Sequence, residues 1–313
     1  MIKQYSAQYH IDENSVLNYY EYYDSKKEKP NLLMLHAQGT DSMSFRNIAK
    51  ALARHYHLYL VDYYGHGKSS HNAEKYNLVS IGRDIVSFVE NVISGETAVL
   101  GHSSGGLIAA FAAAHCTLCK RLILEDPPFF SSCGERRYTA YNYIDLSSVC
   151  HSFLSQDVEK DFVCYYFINQ YCWNFFPEKS REQLRQQLGG KARIYRERHP
   201  HKNLKVPFWP KRFLEGFRGM QYYDPRFGEA FYSDSFNASV DYEMLLGKIR
   251  CETLFLKAKS TISEDGILQG ALSDEDLELV KSLIPKMTVR FFECGHSIHT
   301  EKAGLFLSAI VNE

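Results

Sequence analysis

A serine set among small residues is the first feature of this 313-residue chain with the makings of a reaction centre. The stretch from Thr97 to Ala110 begins as a short apolar run, passes through Gly101-His102-Ser103-Ser104-Gly105, and leaves as an Ala-rich segment. That order predicts a strand, a tight turn and a helix. Gly101 and Gly105 lack the Cβ atoms that would collide where strand becomes helix, so Ser103 stands exposed at the carboxyl end of a strand. The first helical N–H groups, beginning with that of Ser104, face whatever forms on the Ser103 hydroxyl, and the positive end of the helix dipole favours an oxyanion there. The same five residues also suit an ordinary turn. A serine hydroxyl is a poor nucleophile until a base removes its proton, so the rest of the chain must supply a base, an acid and a second N–H donor.

The elements around the serine repeat one scheme. Residues 5–11 and Val16 to Tyr23, rich in β-forming aromatics, predict an N-terminal antiparallel hairpin followed by the charged turn Asp24 to Pro30. Asn31-Leu32-Leu33-Met34-Leu35-His36 and Leu58-Tyr59-Leu60-Val61-Asp62 read as strands buried on both faces. Between them lies a helix from about Met43 to His55, capped by Asp41 or Ser42. A helix from about Val79 to Val92 precedes the strand before Ser103, and Lys120 to Asp126 forms another strand, stopped by Pro127-Pro128. Strand alternating with helix at this spacing predicts an α/β fold with a mostly parallel sheet and helices on both faces.

The alternation then breaks. From Phe129 to about Gly247 there are helix-like segments (141–154, 158–171, 180–188) and a basic, proline-marked stretch from Lys191 to Arg212, but no buried strand. This predicts an inserted, mainly helical cap over 129–245, with 1–128 and 246–313 forming the core. The pattern resumes with a strand from Glu252 to Ala258, a capped helix from Ser273 to Leu283, a strand from Thr288 to Glu293, the turn Cys294-Gly295-His296-Ser297 and a final helix to about Val311. Aromatic residues make up 14% of the chain and gather between about Phe129 and Tyr242, which points to a cap that lines or covers an apolar cavity.

Composition bounds the partners. A formal net charge of -1 offers no basic field for nucleic acid or anionic lipid, and no run approaches the ~20 apolar residues of a membrane span. The N-terminus lacks the apolar stretch of a signal peptide, so a cytoplasmic location is expected, as a monomer or homodimer. The 8 cysteines then stand as free thiols. Cys116-x-x-Cys119 has no second pair to complete a zinc site and reads as helix packing; His199-Pro-His201 reads as a solvated loop.

This order resembles the α/β-hydrolase fold along nearly the whole chain outside the cap, and four landmarks carry the resemblance. His36-Ala37-Gln38-Gly39 resembles the His-Gly-x-Gly loop after the third strand, with Ala37 in place of the usual first glycine. Asp62-Tyr63-Tyr64-Gly65-His66-Gly67-Lys68-Ser69 is similar to the family's Asp-x-x-Gly-x-Gly-x-Ser turn, whose Asp62 and glycines read as structural. Gly101 to Gly105 resembles the nucleophile elbow, and Gly295-His296 the C-terminal histidine loop.

The resemblance implies roles. Ser103 is the nucleophile and His296 the base, ahead of His36, His66, His102 (buried in the elbow) and His299 (part of the closing helix). The acid that orients the imidazole is less determined. Most relatives carry an Asp in the turn after the seventh strand, where Lys257-Ala258-Lys259-Ser260-Thr261 has no carboxylate; Glu264 and Asp265 follow somewhat later. Asp126 ends the sixth strand ahead of two prolines, and some members, haloalkane dehalogenases among them, place their acid there. Asp126 is therefore preferred and Asp265 kept as the alternative, with Glu125 third. The backbone N–H groups of Gln38 and Ser104 are the expected oxyanion donors, together worth a large share of catalysis at ~3–4 kcal/mol each. A serine rather than an aspartate at the elbow argues against the dehalogenase and epoxide hydrolase branches. These roles describe a serine hydrolase acting on an ester or related acyl bond of an apolar or aromatic small molecule, with a carboxylesterase as the default and no metal or organic cofactor required. Carbon–carbon bond hydrolysis or acyl transfer by the same triad is the alternative enzyme chemistry, and a non-catalytic small-molecule receptor is the alternative outside catalysis.

Overall fold

The structure is a computed structural model that describes residues 1–209, 214 and 216–312. Its framework is one eight-stranded sheet. β1 (Ile2–Asp12) and β2 (Ser15–Asp24) form the antiparallel N-terminal hairpin, followed by β3 (Asn31–Leu35), β4 (His57–Asp62), β5 (Thr97–His102), β6 (Cys119–Glu125) and β7 (Glu252–Ala258). A two-stranded ribbon of β8 (Thr261–Ile262) and β9 (Leu268–Gln269), not foreseen from the sequence, comes before the edge strand β10 (Met287–Phe292). The sheet order is β1-β2-β4-β3-β5-β6-β7-β10, parallel from β4 onward.

The unbroken apolar runs follow from this layering. Along β3, Leu33 and Leu35 face one core and Leu32 and Met34 the other, all with 0% exposure. Helices α2 (Leu78–Phe88) and α3 (Ser104–His115) cover the first face, and α1 (Arg46–Leu52) and the C-terminal helix Ala303–Val311 the second. Each fully buried Leu, Ile or Phe in these layers contributes about 1.5–3 kcal/mol of transfer free energy. The chain's polar connections follow the same logic: Asp41 caps the turn before α1, its side chain accepting from the Met43 N–H.

Several elements depart from expectation. The helix expected over 43–55 is a 3₁₀ turn, Ser42–Phe45, followed by α1, and the one expected over 79–92 is α2 followed by a π turn at Val89–Ile93. Cys116 and Cys119 lie outside the helices but inside the core layer that α2 and α3 cover. They bracket the turn from α3 into β6, where the Cys119 N–H donates to the Cys116 carbonyl, and both are buried free thiols. Between β6 and β7 the described residues add no strand to the sheet. They form α4 (Ser148–Leu154), α5 (Phe162–Asn169), α6 (Glu178–Arg198) and shorter helices at Phe217–Met220, Pro225–Tyr232 and Tyr242–Leu246. The basic stretch that began at Lys191 is helical as far as Arg198, because Pro177 caps α6 rather than breaking it and no proline follows until Pro200. The end of that stretch, Pro210 to Arg212, lies outside the described residues. His201 is exposed and His199 half-buried just past α6, as a solvated loop requires. Among the described residues no helix is long and apolar enough to cross a membrane.

Candidate active site

The turn from β5 to α3 holds Ser103 at φ 56°, ψ -124°, a conformation that L residues adopt only under compulsion. The compulsion is visible in the neighbouring glycines. A Cβ on Gly101 would overlap the carbonyl of Gly105, and a Cβ on Gly105 would overlap the carbonyls of Leu35 and His36 at the end of β3. The Ser103 N–H donates to the Glu125 carbonyl at 2.9 Å, which pins the elbow to the end of β6. Ser103 caps α3, so the Ser104 N–H is the first of a helix and has no acceptor within it.

Asp126 follows β6 directly and also has positive φ, 45°. Its N–H donates to the Leu256 carbonyl on β7 at 3.0 Å, and the side chain is 1% exposed. Oδ1 accepts from the Ala258 N–H at 3.3 Å, and Oδ2 lies 2.7 Å from His296 Nδ1. His296, reached after β10, is part-exposed and lines the same cavity as Ser103, a space of about 200 Å³. Burial pulls the His296 pKa down, but the hydrogen bond and charge of Asp126, with Glu125 and Glu301 behind it, outweigh that and raise it above 6.5. An imidazole tethered through Nδ1 to a buried carboxylate keeps Nε2 for proton exchange.

The other histidines are placed differently. Burial drives His102 down to about 3 and His36 down to about 4, and holds His66 well below its ordinary value, so these rings are neutral at pH 7. His36 stacks on Tyr63 with centroids 4.2 Å apart, and His66 Nε2 accepts from the Gly39 N–H at 3.1 Å, so both shape the loop after β3. His102 Nε2 contacts the His296 carbonyl at 3.2 Å and supports the loop that carries the tethered imidazole. His299 sits in the closing helix Ile298–Glu301. Its backbone N–H and Nδ1 both meet Glu125, at 2.8 Å and 2.8–2.9 Å. Glu125 thus pairs with His299 rather than His296, and despite full burial its carboxyl is held at about 2 by the His299 charge and hydrogen bonds. His102, Glu125 and His299 are spaced closely enough to hold a metal ion, yet both Glu125 oxygens and His299 Nδ1 are already spent on one another. Nothing in the sequence around Glu125 singles out this partnership; only the meeting of the β6 and β10 ends creates it.

Asp265 lies in the exposed turn Ser263–Gly266 leading into β9, and no hydrogen bond or ion pair ties it to His296. Gln38 and Ser104 are brought together, 2% and 8% being the exposures of Ser104 and Gln38, but in an arrangement the motifs did not foretell. The Gln38 N–H donates to Ser104 Oγ at 2.8 Å, and that hydroxyl also meets Tyr63 Oη at 3.0 Å. The Gln38 side chain spans to the segment between β6 and β7 through Tyr223 Oη, 2.8 Å, and Asn142 Nδ2, 3.0 Å. Asp62 plays the structural part expected of it. It accepts from Asn18 Nδ2 and from the Ser42 and Lys68 N–H groups, while Gly67, at φ 55°, makes room for its carboxylate.

Comparison with known proteins points to the same fold. A family model described as the alpha/beta hydrolase fold matches residues 30–144, which includes the β3 loop, the elbow and Asp126. A hydrolase from Pseudomonas aeruginosa PA01 superposes with a TM-score of 0.66 at 18% identity, covering 98% of this chain and 97% of its own. An enol-lactonase from Burkholderia xenovorans LB400 gives 0.61 at 15% identity, with 96% of both chains covered. In sequence, the magnesium-chelatase 30 kDa subunit of Rhodobacter capsulatus is 35% identical over 81 residues, 26% of this chain, and the match spans 28% of that relative's length.

Proposed function

Since the chain belongs to the α/β-hydrolase superfamily, we propose that it is a serine hydrolase in which Ser103, His296 and Asp126 act as nucleophile, base and orienting acid. The observation that carries this reading is the 2.7 Å pairing of His296 Nδ1 with Asp126, on an imidazole that shares a cavity wall with the strained Ser103. In the acylation step His296 Nε2 takes the Ser103 proton as Oγ bonds to the substrate carbonyl carbon. The tetrahedral oxyanion then collapses, the bond to the leaving group breaks, and the leaving group departs with the proton from His296. Water repeats the sequence on the acyl-enzyme and restores Ser103. The Ser104 N–H is one oxyanion donor. Gln38 is the second once its N–H exchanges Ser104 Oγ for the oxyanion, a swap within one hydrogen-bond length of the elbow.

The segment 129–245 acts as the cap. Tyr141, Tyr143, Phe231 and Ala140 line the cavity with Ser103, which favours an acyl or aromatic group of modest size and a carboxylesterase-type reaction. Carbon–carbon cleavage of a diketone would use the same three residues, and product analysis on paired diketone and ester substrates separates the two. The decisive test is labelling by a fluorophosphonate. The wild type reacts and Ser103→Ala does not, whereas a wild type that resists labelling and turns over no ester overturns the assignment in favour of a small-molecule receptor.

A further inference from the structure

The cavity that holds Ser103 and His296 is mostly apolar, and of the polar side chains in its wall Ser131 is bonded to the Ala271 carbonyl and Asn142 to Gln38, whereas Arg137, Ser132 and Ser147 have donors to spare. Ser132 is 8% exposed and Ser147 0%, and the hydroxyl of each is buried without a hydrogen-bond partner. Buried hydroxyls in native proteins are almost always paired, so two orphans in one cavity mark a place for an acceptor that the chain itself does not provide.

Arg137 supplies the charge. Its guanidinium is held in place by neutral groups: Nε donates to the Tyr232 carbonyl at 3.2 Å, Nη1 to the Gly134 carbonyl, and Nη2 to Tyr138 Oη at 3.0 Å. The Tyr138 ring lies 4.4 Å beneath it, and the side chain is only 13% exposed. Carbonyls and a ring face orient the guanidinium, and its ion pair with Asp234 is a loose one. Asp234 pairs with Nη1 at 3.7 Å, beyond hydrogen-bond length, while its oxygens accept from the Gly134 N–H at 2.7 Å and from Asn237 Nδ2 at 2.9 Å. Among the described residues lining the cavity Arg137 is the only permanent charge, and no carboxylate lines it. A guanidinium has five N–H donors, and three are accounted for.

We infer that the substrate of this site carries a carboxylate, received by Arg137 with Ser132 and Ser147, on the acyl group that Ser103 attacks. A carboxylate is an acceptor-only group with about four lone-pair sites, which matches one cation and two hydroxyl donors. The rest of the acyl chain lies against the aromatic wall. A space of about 200 Å³ limits it to a short dicarboxylic acid, presented as a half-ester or half-amide. The inference rests on the serine hydrolase reading and narrows its substrate class.

The test compares kcat/KM for p-nitrophenyl half-esters of succinic, glutaric and adipic acids with that for neutral p-nitrophenyl esters of matching chain length. The wild type favours at least one half-ester by tenfold or more. Arg137→Met reduces that preference on the order of 10–100-fold, the loss expected for a charge-assisted hydrogen bond, and Arg137→Lys restores part of it. The double variant Ser132→Ala, Ser147→Ala lowers the ratio several-fold. Because the readout is a ratio, a partly misfolded Arg137 variant leaves it interpretable. A wild type labelled by fluorophosphonate that shows no preference, or a preference unchanged in Arg137→Met and in the serine variant, overturns the carboxylate site and leaves the hydrolase reading standing. If the wild type is not labelled, binding of glutarate and succinate measured by calorimetry decides the site alone: binding lost in Arg137→Met supports it, and no binding to the wild type overturns it.

Discussion

Replacing Asp126 by Asn tests the acid assignment with little disturbance of the fold. Position 126 has φ 45°, and Asn is one of the few residues that tolerates this region, so backbone strain is not added. The amide has two orientations in its buried slot. In the first, its oxygen keeps the bond to the Ala258 N–H and its nitrogen faces His296 Nδ1. That orientation forces the imidazole proton onto Nε2, where it blocks transfer from Ser103. In the second, the oxygen faces His296 and the correct tautomer survives, but the NH2 group is turned on the Ala258 N–H. Two donors face to face at 1% exposure cost about 1–3 kcal/mol, which leaves between about one molecule in six and about one in 160 competent. Loss of the negative charge that stabilises the imidazolium comes on top. Together these predict a drop in kcat of about 10³–10⁴-fold, or roughly 4–5 kcal/mol at 1.36 kcal/mol per decade. The pH profile supplies a second reading. With His296 raised above 6.5, kcat/KM climbs with pH through that raised value as the base loses its proton. Without the carboxylate the midpoint moves to lower pH. Turnover of a p-nitrophenyl ester across pH 5–9, with thermal melting to confirm folding, measures both. Asp265→Asn, in its exposed turn, stays within about twofold of wild type. Asp126→Asn within tenfold of wild type, or an equal loss in Asp265→Asn, would refute the reasoning.

Two further predictions concern the groups around the triad. Ser104→Ala removes the competitor for the Gln38 N–H, so kcat rises several-fold, bounded by the roughly 0.5–1.5 kcal/mol of one neutral hydrogen bond, while the protein melts at lower temperature because Tyr63 and Gln38 lose a partner; a fall in kcat at constant Ser103 labelling counts against Gln38 as an oxyanion donor. Glu125→Ala strands His299 in a dry site and costs about 3–5 kcal/mol in urea unfolding at pH 7. Glu125 is held at about 2 against an ordinary 4.5, so its stabilisation is complete above 4.5 and fades as pH falls toward 2. Glu125→Gln accordingly flattens the acid limb of the stability curve between those values, and an unchanged limb assigns the acid sensitivity elsewhere.

Local pattern was enough for the sheet and the elbow because both are dictated by near neighbours. The alternation of Leu32 to Leu35 across two cores and the overlap of any Cβ at Gly101 or Gly105 with adjacent backbone are properties of a few consecutive residues. The carboxylate that pairs with His296 was legible only in part. Pro127-Pro128 hinted that Asp126 is held in one direction, but the choice against Asp265 depends on β6 and β10 ending at the same rim, a fact of sheet order rather than of either segment. The same holds for the Glu125–His299 pair, whose members lie 174 residues apart. The segment between β6 and β7 was hardest to read. Its short helices and 3₁₀ turns have weak periodicity, and their positions are set by contacts such as Tyr232 stacked on His151 and on Tyr143, which no local rule supplies.

That division between the legible sheet and the illegible segment linking β6 to β7 has a physical consequence for specificity. The residues proposed to react sit on elements whose geometry is over-determined: Ser103 is fixed by two glycines and the Glu125 carbonyl, and Asp126 by the Leu256 and Ala258 backbone. The groups that would choose a substrate, Arg137, Ser132, Ser147 and the tyrosines, come from chain between β6 and β7, and few of them are tied to the sheet. One link is Gln38, which offers its N–H at the elbow and its side chain to Tyr223 and Asn142. If Gln38 is the oxyanion donor proposed above, a shift of the segment between β6 and β7 that moves those two partners changes the readiness of its N–H, which ties binding in the cavity to that donor through one residue.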